Sequence, residues 1–159
     1  MFVWRKFTVT VAVSVSIALS VAGCTEDKTS QCHRLIQVVN EGNALIDQKK
    51  GQQVITSLQL SKDLVAITQS LEELKLSDPQ LQEIQTGFIR VFQNLSQAIA
   101  KASQALGTAK NAEASPSGRE KLEKARKEID TVLTKAASTA GKDSDVLVKR
   151  LNQYCSQPK

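Results

Sequence analysis

Apolar residues along this chain recur at intervals of three and four. The most regular run is Leu81, Ile84, Phe88, Val91, Leu95, Ala98, Ala102 and Ala105, which alternates three and four without a break. That spacing keeps one helical stripe against a neighbour over many turns. A second run, Leu60, Leu64, Ile67, Leu71 and Leu74, steps four-three-four-three, with Val54, Leu58 and Val65 widening it. Cys32, Leu35, Ile36, Val39 and Ile46 give one face to a helix over about residues 30–50. Leu122, Ala125, Ile129, Val132 and Ala136 do the same for residues 117–139, and Val146, Leu147, Leu151 and Tyr154 for a short segment over 144–156. No strand pattern survives the scan.

Punctuation sets the boundaries. Lys49 and Lys50 complement a carbonyl end, and Gly51 suits the residue just past it. Asp78-Pro79 is the strongest start signal: the carboxylate can cap the orphan amides, and proline fits the first helical position. The stretch 107–118 (GTAKNAEASPSG) reads as the one real loop. Ser117 and Glu120 have capping-box spacing, and Glu120–Lys124 and Glu123–Lys127 are favourable i, i+4 pairs. Gly141 stops the fourth helix, and the Asp143-Ser144-Asp145 cluster caps the next. Short connections imply antiparallel neighbours. The expected fold is therefore all-α: an up-down antiparallel bundle of four long helices plus a short C-terminal helix.

Composition narrows the function classes. Three prolines and seven glycines in 159 residues favour helix over sheet. Beyond the first 23 residues the aromatic side chains are Phe88, Phe92 and Tyr154. Base and sugar stacking need aromatic platforms, which argues against nucleic-acid and carbohydrate binding. The formal net charge is +5. It is uneven: residues 101–159 hold 12 basic and 7 acidic side chains. That half suits an anionic lipid surface or an acidic partner, although interleaved signs also fit a solvated helix face.

The first residues form a leader. Arg5 and Lys6 precede an apolar run from Phe7 whose polar members are Ser and Thr, and small residues lead to Cys24. The run is shorter and more polar than the about 20 apolar residues of a spanning helix. Val21-Ala22-Gly23-Cys24 resembles the lipobox of bacterial lipoproteins. That resemblance implies cleavage after residue 23 and acylation of Cys24. Two or three acyl chains hold a protein far more firmly than the marginal grip of one. Residues 1–23 are then a signal peptide, 24–30 a polar tether, and 31–156 one helical domain. With its glutamine-rich helices and its remaining cysteines, Cys32 and Cys155, near the two ends, the chain resembles small helical lipoproteins of cyanobacteria. Its general plan is similar to photosystem-II-associated lumenal lipoproteins. The expected location is a cell membrane or outer membrane, facing the periplasm or a thylakoid lumen.

Export makes Cys32 and Cys155 a natural disulfide pair. Four alternating long helices return the chain to the end where the first began, so the short fifth segment is expected to pack across that end, near the lipid. Candidate chemistry is sparse. His33 is the sole histidine, and nothing near it has metal-ligand spacing. Adjacent Glu72 and Glu73 point to different helix faces and form no acid–base pair. Phosphate-loop, nucleophile-elbow and zinc-protease motifs are absent from the sequence. Gly42 and Gly87 interrupt helical stretches, which points to close helix packing. The expectation is a non-enzymatic accessory or binding lipoprotein with no metal or cofactor. It would be held to the membrane through Cys24 and dock a protein of a membrane or envelope complex. The alternative is a carrier of a small apolar ligand, using an apolar groove left by the alanine-lined seam of the third and fourth helices.

Overall fold

A computed structural model describes residues 26–49, 54–112 and 114–157. The leader, Cys24, Thr25 and the Gly51 helix stop lie outside the described residues. Within them the chain is all-helical: α1 (Lys28–Lys49), α2 (Val54–Glu73), α3 (Pro79–Lys110) and α4 (Pro116–Ser156).

Three boundaries differ from the sequence reading, and each difference has a local cause. α1 begins at Lys28, so residues 28–30 belong to the helix rather than to a tether. Asp27 starts it, its carboxylate accepting from the Ser30 amide at 3.3 Å. α3 runs through Gly107 to Lys110, which shortens the expected loop to a few residues. The largest correction is at the C-terminus. The expected fourth helix and short fifth helix are one helix of 41 residues. Gly141 does not stop it, and Asp143 to Asp145 lie mid-helix and cap nothing. A glycine inside a helix costs only about 1 kcal/mol against alanine. Continued packing of α4 along α3 outweighs that, since Leu147 and Leu151 beyond the glycine are buried. Residues 144–156 therefore run beside α3 rather than across the bundle end. The cap of α4 is Ser115, which accepts from the Gly118 amide at 3.1 Å, with Pro116 opening the helix; Ser117 is hydrogen-bonded to Ser115 instead of capping.

α3 is the central element and touches every other helix. This explains why its buried stripe is wider than one seam. Leu81, Ile84, Phe88, Val91, Ala98 and Ala102 are buried, and so are Phe92 and Ile99 beside them. Leu35 and Val39 of α1 and Leu64 and Leu71 of α2 complete the core. Each such leucine contributes about 1.5–3 kcal/mol through burial. Leu58, Val65 and Leu122 extend their sequence stripes but are exposed, because no described helix lies opposite them.

Cross-links between helices fix which ends meet. Gln31 near the start of α1 bonds Ser77 just beyond α2, and Ser61 and Ser96 exchange hydroxyl-to-carbonyl bonds between α2 and α3. Arg150 near the end of α4 reaches Glu83 near the start of α3 at 3.0 Å. Gly42 admits the Phe92 ring: a Cβ there would lie 2.6 Å from its tip. At 1.5 Å per residue, α1 is about 33 Å long, α3 about 48 Å and α4 about 62 Å. α1 therefore covers only part of the length of the α3–α4 pair.

Candidate functional site

The best-organised polar region lies where the start of α1, the α2–α3 junction and the end of α4 converge. Cys32 and Cys155 join there, with an S–S distance of 2.06 Å and Cα atoms 5.9 Å apart. Glu26, two residues after Cys24, belongs to the same region.

Gln31 organises it. This side chain is 3 % exposed and uses its whole hydrogen-bonding capacity. Its carbonyl accepts from the backbone amides of Ser77 at 2.7 Å and Asp78 at 3.1 Å. Its NH₂ donates to the Glu26 carbonyl at 2.8 Å and the Ser77 hydroxyl at 2.9 Å. Arg34 pairs with the Glu26 carboxylate and donates to the Lys75 carbonyl. Two further glutamines satisfy the carbonyls at the end of α2. Gln85 donates to Leu71 and Leu74, and Gln82 to Leu76. Helix ends leave such groups without partners, so these bonds replace water there.

On the other side of the junction, the Tyr154 hydroxyl donates to the Asp78 carboxylate at 2.6 Å. The second oxygen of Asp78 caps α3 through the Gln80 and Leu81 amides. Lys28 sits 4.1 Å from the Tyr154 ring centroid and donates to the Gln157 carbonyl. Burial pushes the Asp78 carboxyl up, but the bonds from Tyr154, Leu81 and Gln80 and the charge of Lys28 outweigh it, and its pKa lies below the ordinary value. The hydrogen bond to Asp78, with burial and the Asp78 charge, raises that of Tyr154. The region ties the first described residues of the chain to the last. Next to it is a cleft of about 210 Å³ lined by Gln80, Arg150, Gln153 and Tyr154.

The other expected sites fare differently. Cys24 lies outside the described residues. His33 is exposed, and among the described residues no group of three or more His, Cys, Asp or Glu is placed to hold a metal ion. Glu72 and Glu73 are exposed, and Glu72 accepts from Gln93. No described helix is long and apolar enough to cross a membrane.

Apolar depressions follow α3, one of about 270 Å³ between α3 and α4 lined by Val91, Val132, Ala136 and Ala140. One of about 470 Å³ lies between α1, α3 and α4, lined by Ile46, Phe92, Leu95, Ala140 and Val148 with Asn43, Asp47 and Asp145 at its polar parts. A smaller one of about 140 Å³ lies farther from the disulfide, between α2, α3 and α4, lined by Leu60, Ile99, Ala102, Leu106, Ile129 and Leu133. At the alanine end of α3, Ala98, Ala102 and Ala109 are buried.

The sequence reading did not mark Gln31, Gln85 or Asp78–Tyr154 as a unit. One signal was present. Gln31 precedes Leu35, Val39, Gly42 and Ile46 at four-four-three-four, the inward register of α1. Comparison of the chain with protein-family models, with curated proteins and with solved structures finds no match in any of the three.

Proposed function

We propose that this protein is a membrane-anchored, non-enzymatic lipoprotein that acts as an accessory or binding protein at a periplasmic or lumenal membrane surface. In this reading residues 1–23 are removed, Cys24 carries the acyl chains, and the four helices form an up-down antiparallel bundle that stands on the membrane by its disulfide end. The observation that supports it most is the region around Gln31. The chain would leave the lipid at Cys24 and meet Glu26 two residues later, already bonded to Gln31 and Arg34. A pull on the tether is thus passed to Cys32, Cys155 and the α2–α3 junction rather than to a frayed helix end. Intact-mass measurement of protein purified from native membranes tests this. The expected species starts at Cys24 and carries an acylated thioether. A species that starts at Met1 with no acyl adduct overturns the reading.

The groove of about 470 Å³ supports a second reading, a carrier of a small apolar ligand. Its size falls within the usual range of about 300–1,000 Å³ for ligand pockets. Solvent extraction of the purified native protein, followed by mass spectrometry, is expected to yield a stoichiometric apolar molecule if this second reading is correct. Protein that extracts clean argues against it.

A further inference from the structure

We infer that the polar cleft between the start of α3 and the last turns of α4 is a binding site for one phosphate group, borne by a lipid headgroup or free in solution. The inference rests on the membrane-surface reading only in naming a lipid as one source.

The first argument is the donor set. The cleft is lined by Gln80 and Ile84 of α3 and by Arg150, Gln153 and Tyr154 of α4, with Gln157 just past that helix. Arg150 is the charged residue among them. It donates to Glu83 at 3.0 Å from one terminal nitrogen, and both side chains are exposed. Exposed pairs of this kind contribute little to stability, so the guanidinium can turn to a ligand. Its planar fork presents two parallel N–H groups to a phosphate. Beside it, Gln80 gives its backbone amide to Asp78, while Gln153 and Gln157 accept on their backbone carbonyls from Ser156 and Lys28. Their side-chain amides are left for the cleft, each with two N–H groups.

The second argument is what competes. The carboxylates of this region are Asp27, Asp78 and Glu83. Asp27 accepts the Ser30 amide. Asp78 accepts the Tyr154 hydroxyl on one oxygen and the Gln80 and Leu81 amides on the other. Only Glu83 engages Arg150. Because Asp78 already holds the first amides of α3, side chains make this site and the helix end does not. On the α1 side, Lys28 reaches the Gln157 carbonyl and brings a second cation beside the cleft.

Size and place narrow the ligand. At about 210 Å³ the cleft is smaller than the usual range of about 300–1,000 Å³ for drug-sized molecules. It suits one phosphate group with its first substituent. Gln153 and Gln157 lie two residues either side of Cys155, and Lys28 lies two residues after Glu26. The cleft therefore belongs to the disulfide end. A phosphate held there adds a second contact to an acyl tether and fixes which way the bundle stands.

Nuclear magnetic resonance of the ¹⁵N-labelled full chain in a neutral maltoside detergent tests this. The probes are inorganic phosphate, dihexanoyl phosphatidylglycerol and, as the phosphate-free control, dihexanoylglycerol. A phosphate-bearing probe is expected to shift the side-chain NH₂ signals of Gln80 and Gln153 saturably, and the control is expected to leave them in place. Arg150→Gln should weaken binding by about tenfold, the loss of a charge-assisted bond. Glu83→Gln should tighten it by about threefold by releasing Arg150, an effect that a merely structural ion pair would not produce. Both positions are exposed, and circular dichroism checks that each variant folds. Saturation by phosphatidylglycerol alone assigns the lipid as source; equal saturation by inorganic phosphate assigns the free ion. Silence from both phosphate probes, an equal response to the control, or indifference to Arg150→Gln overturns the proposal. The state of Cys24 is read separately by intact mass, so an unacylated chain that binds phosphate overturns the membrane reading and leaves this site standing.

Discussion

Alanine at Gly42 and alanine at Gly141 change helix propensity in the same way and packing in opposite ways. Both glycines lie inside helices, so each substitution brings about 1 kcal/mol of favourable propensity. A Cβ at Gly141 meets nothing within 4 Å. A Cβ at Gly42 would lie 2.6 Å from the Phe92 ring tip and 3.0 Å from an Ile67 methyl. Phe92 is 1 % exposed and stacks near Phe88 with centroids 6.4 Å apart, so the ring has nowhere to retreat. Overpacking of this kind costs about 1–3 kcal/mol. Gly141→Ala should therefore stabilise by about 1 kcal/mol, and Gly42→Ala should be neutral to destabilising by about 2 kcal/mol. Since the propensity gain cancels, the gap between the two variants is the packing cost. At about 4 °C per kcal/mol for a domain of this size, the melting temperatures should separate by about 4–12 °C. Gly87→Ala should fall between them, because its 2.6 Å neighbour is the flexible tip of Leu147. Thermal melts followed by circular dichroism, with the disulfide intact, decide the matter. If Gly42→Ala rises in melting temperature as much as Gly141→Ala, α1 does not pack on Phe92 as described.

Gln31→Ala should cost about 1–3 kcal/mol and speed hydrogen exchange at the Ser77 and Asp78 amides, which lose their acceptor. Replacing Cys32 and Cys155 by serine removes a link across a sequence separation of 123, worth up to about 5 kcal/mol by chain entropy, read as a lower denaturant midpoint. Tyr154→Phe should destabilise at neutral pH, with the gap to the natural chain closing in acid. Asp78 has a folded pKa below the ordinary carboxylate value, so its contribution is complete above that ordinary value and is lost as pH falls through the folded one. An acid-independent gap would rule out the carboxylate as the cause. Along α4, amides of residues 119–124 should exchange faster than those of residues 147–154, since the former side chains are all exposed and the latter include buried Leu147 and Leu151. Uniform protection would contradict the uneven packing.

The helices were legible because their cause is periodic and local. Asp78 and Pro79 act within one turn of themselves, and the start of α3 follows from those two residues. The reading failed where a local signal competes with a distant one. Gly107 and Gly141 are weak breakers, and each loses to packing along the α3–α4 interface, a property of two segments that sequence spacing treats separately. Leu58, Val65 and Leu122 show the converse. Their spacing continues a stripe, but a stripe is buried only where another helix lies opposite, and the stopping point of α1 is not written in α4.

The glutamines carry the same lesson into the candidate site. A glutamine in a helix reads as surface, because its ordinary partner is water. Gln31 and Gln85 become interior because chain reversals at the α2–α3 junction present amides and carbonyls that need partners. Those backbone groups belong to residues 46 and 14 positions away respectively, for the Ser77 amide and the Leu71 carbonyl. The molecule is consequently asymmetric in how it is held. At the disulfide end, a covalent link, a saturated buried amide and large core side chains such as Leu35, Leu81 and Phe88 act together. Toward the α3–α4 turn, the buried side chains are mostly small, Ala98, Ala102, Ala109 and Ala125 with Ile99 among them, and α1 has ended. Small buried side chains contribute less burial energy per turn than leucine, so cohesion there falls while apolar surface stays open. A domain stabilised evenly along its length would not need its polar network, its disulfide and its first described residues at one end. That concentration ties the first described residues, from Glu26 on, to the last ones and to the α2–α3 junction, so this end is held more firmly than the other.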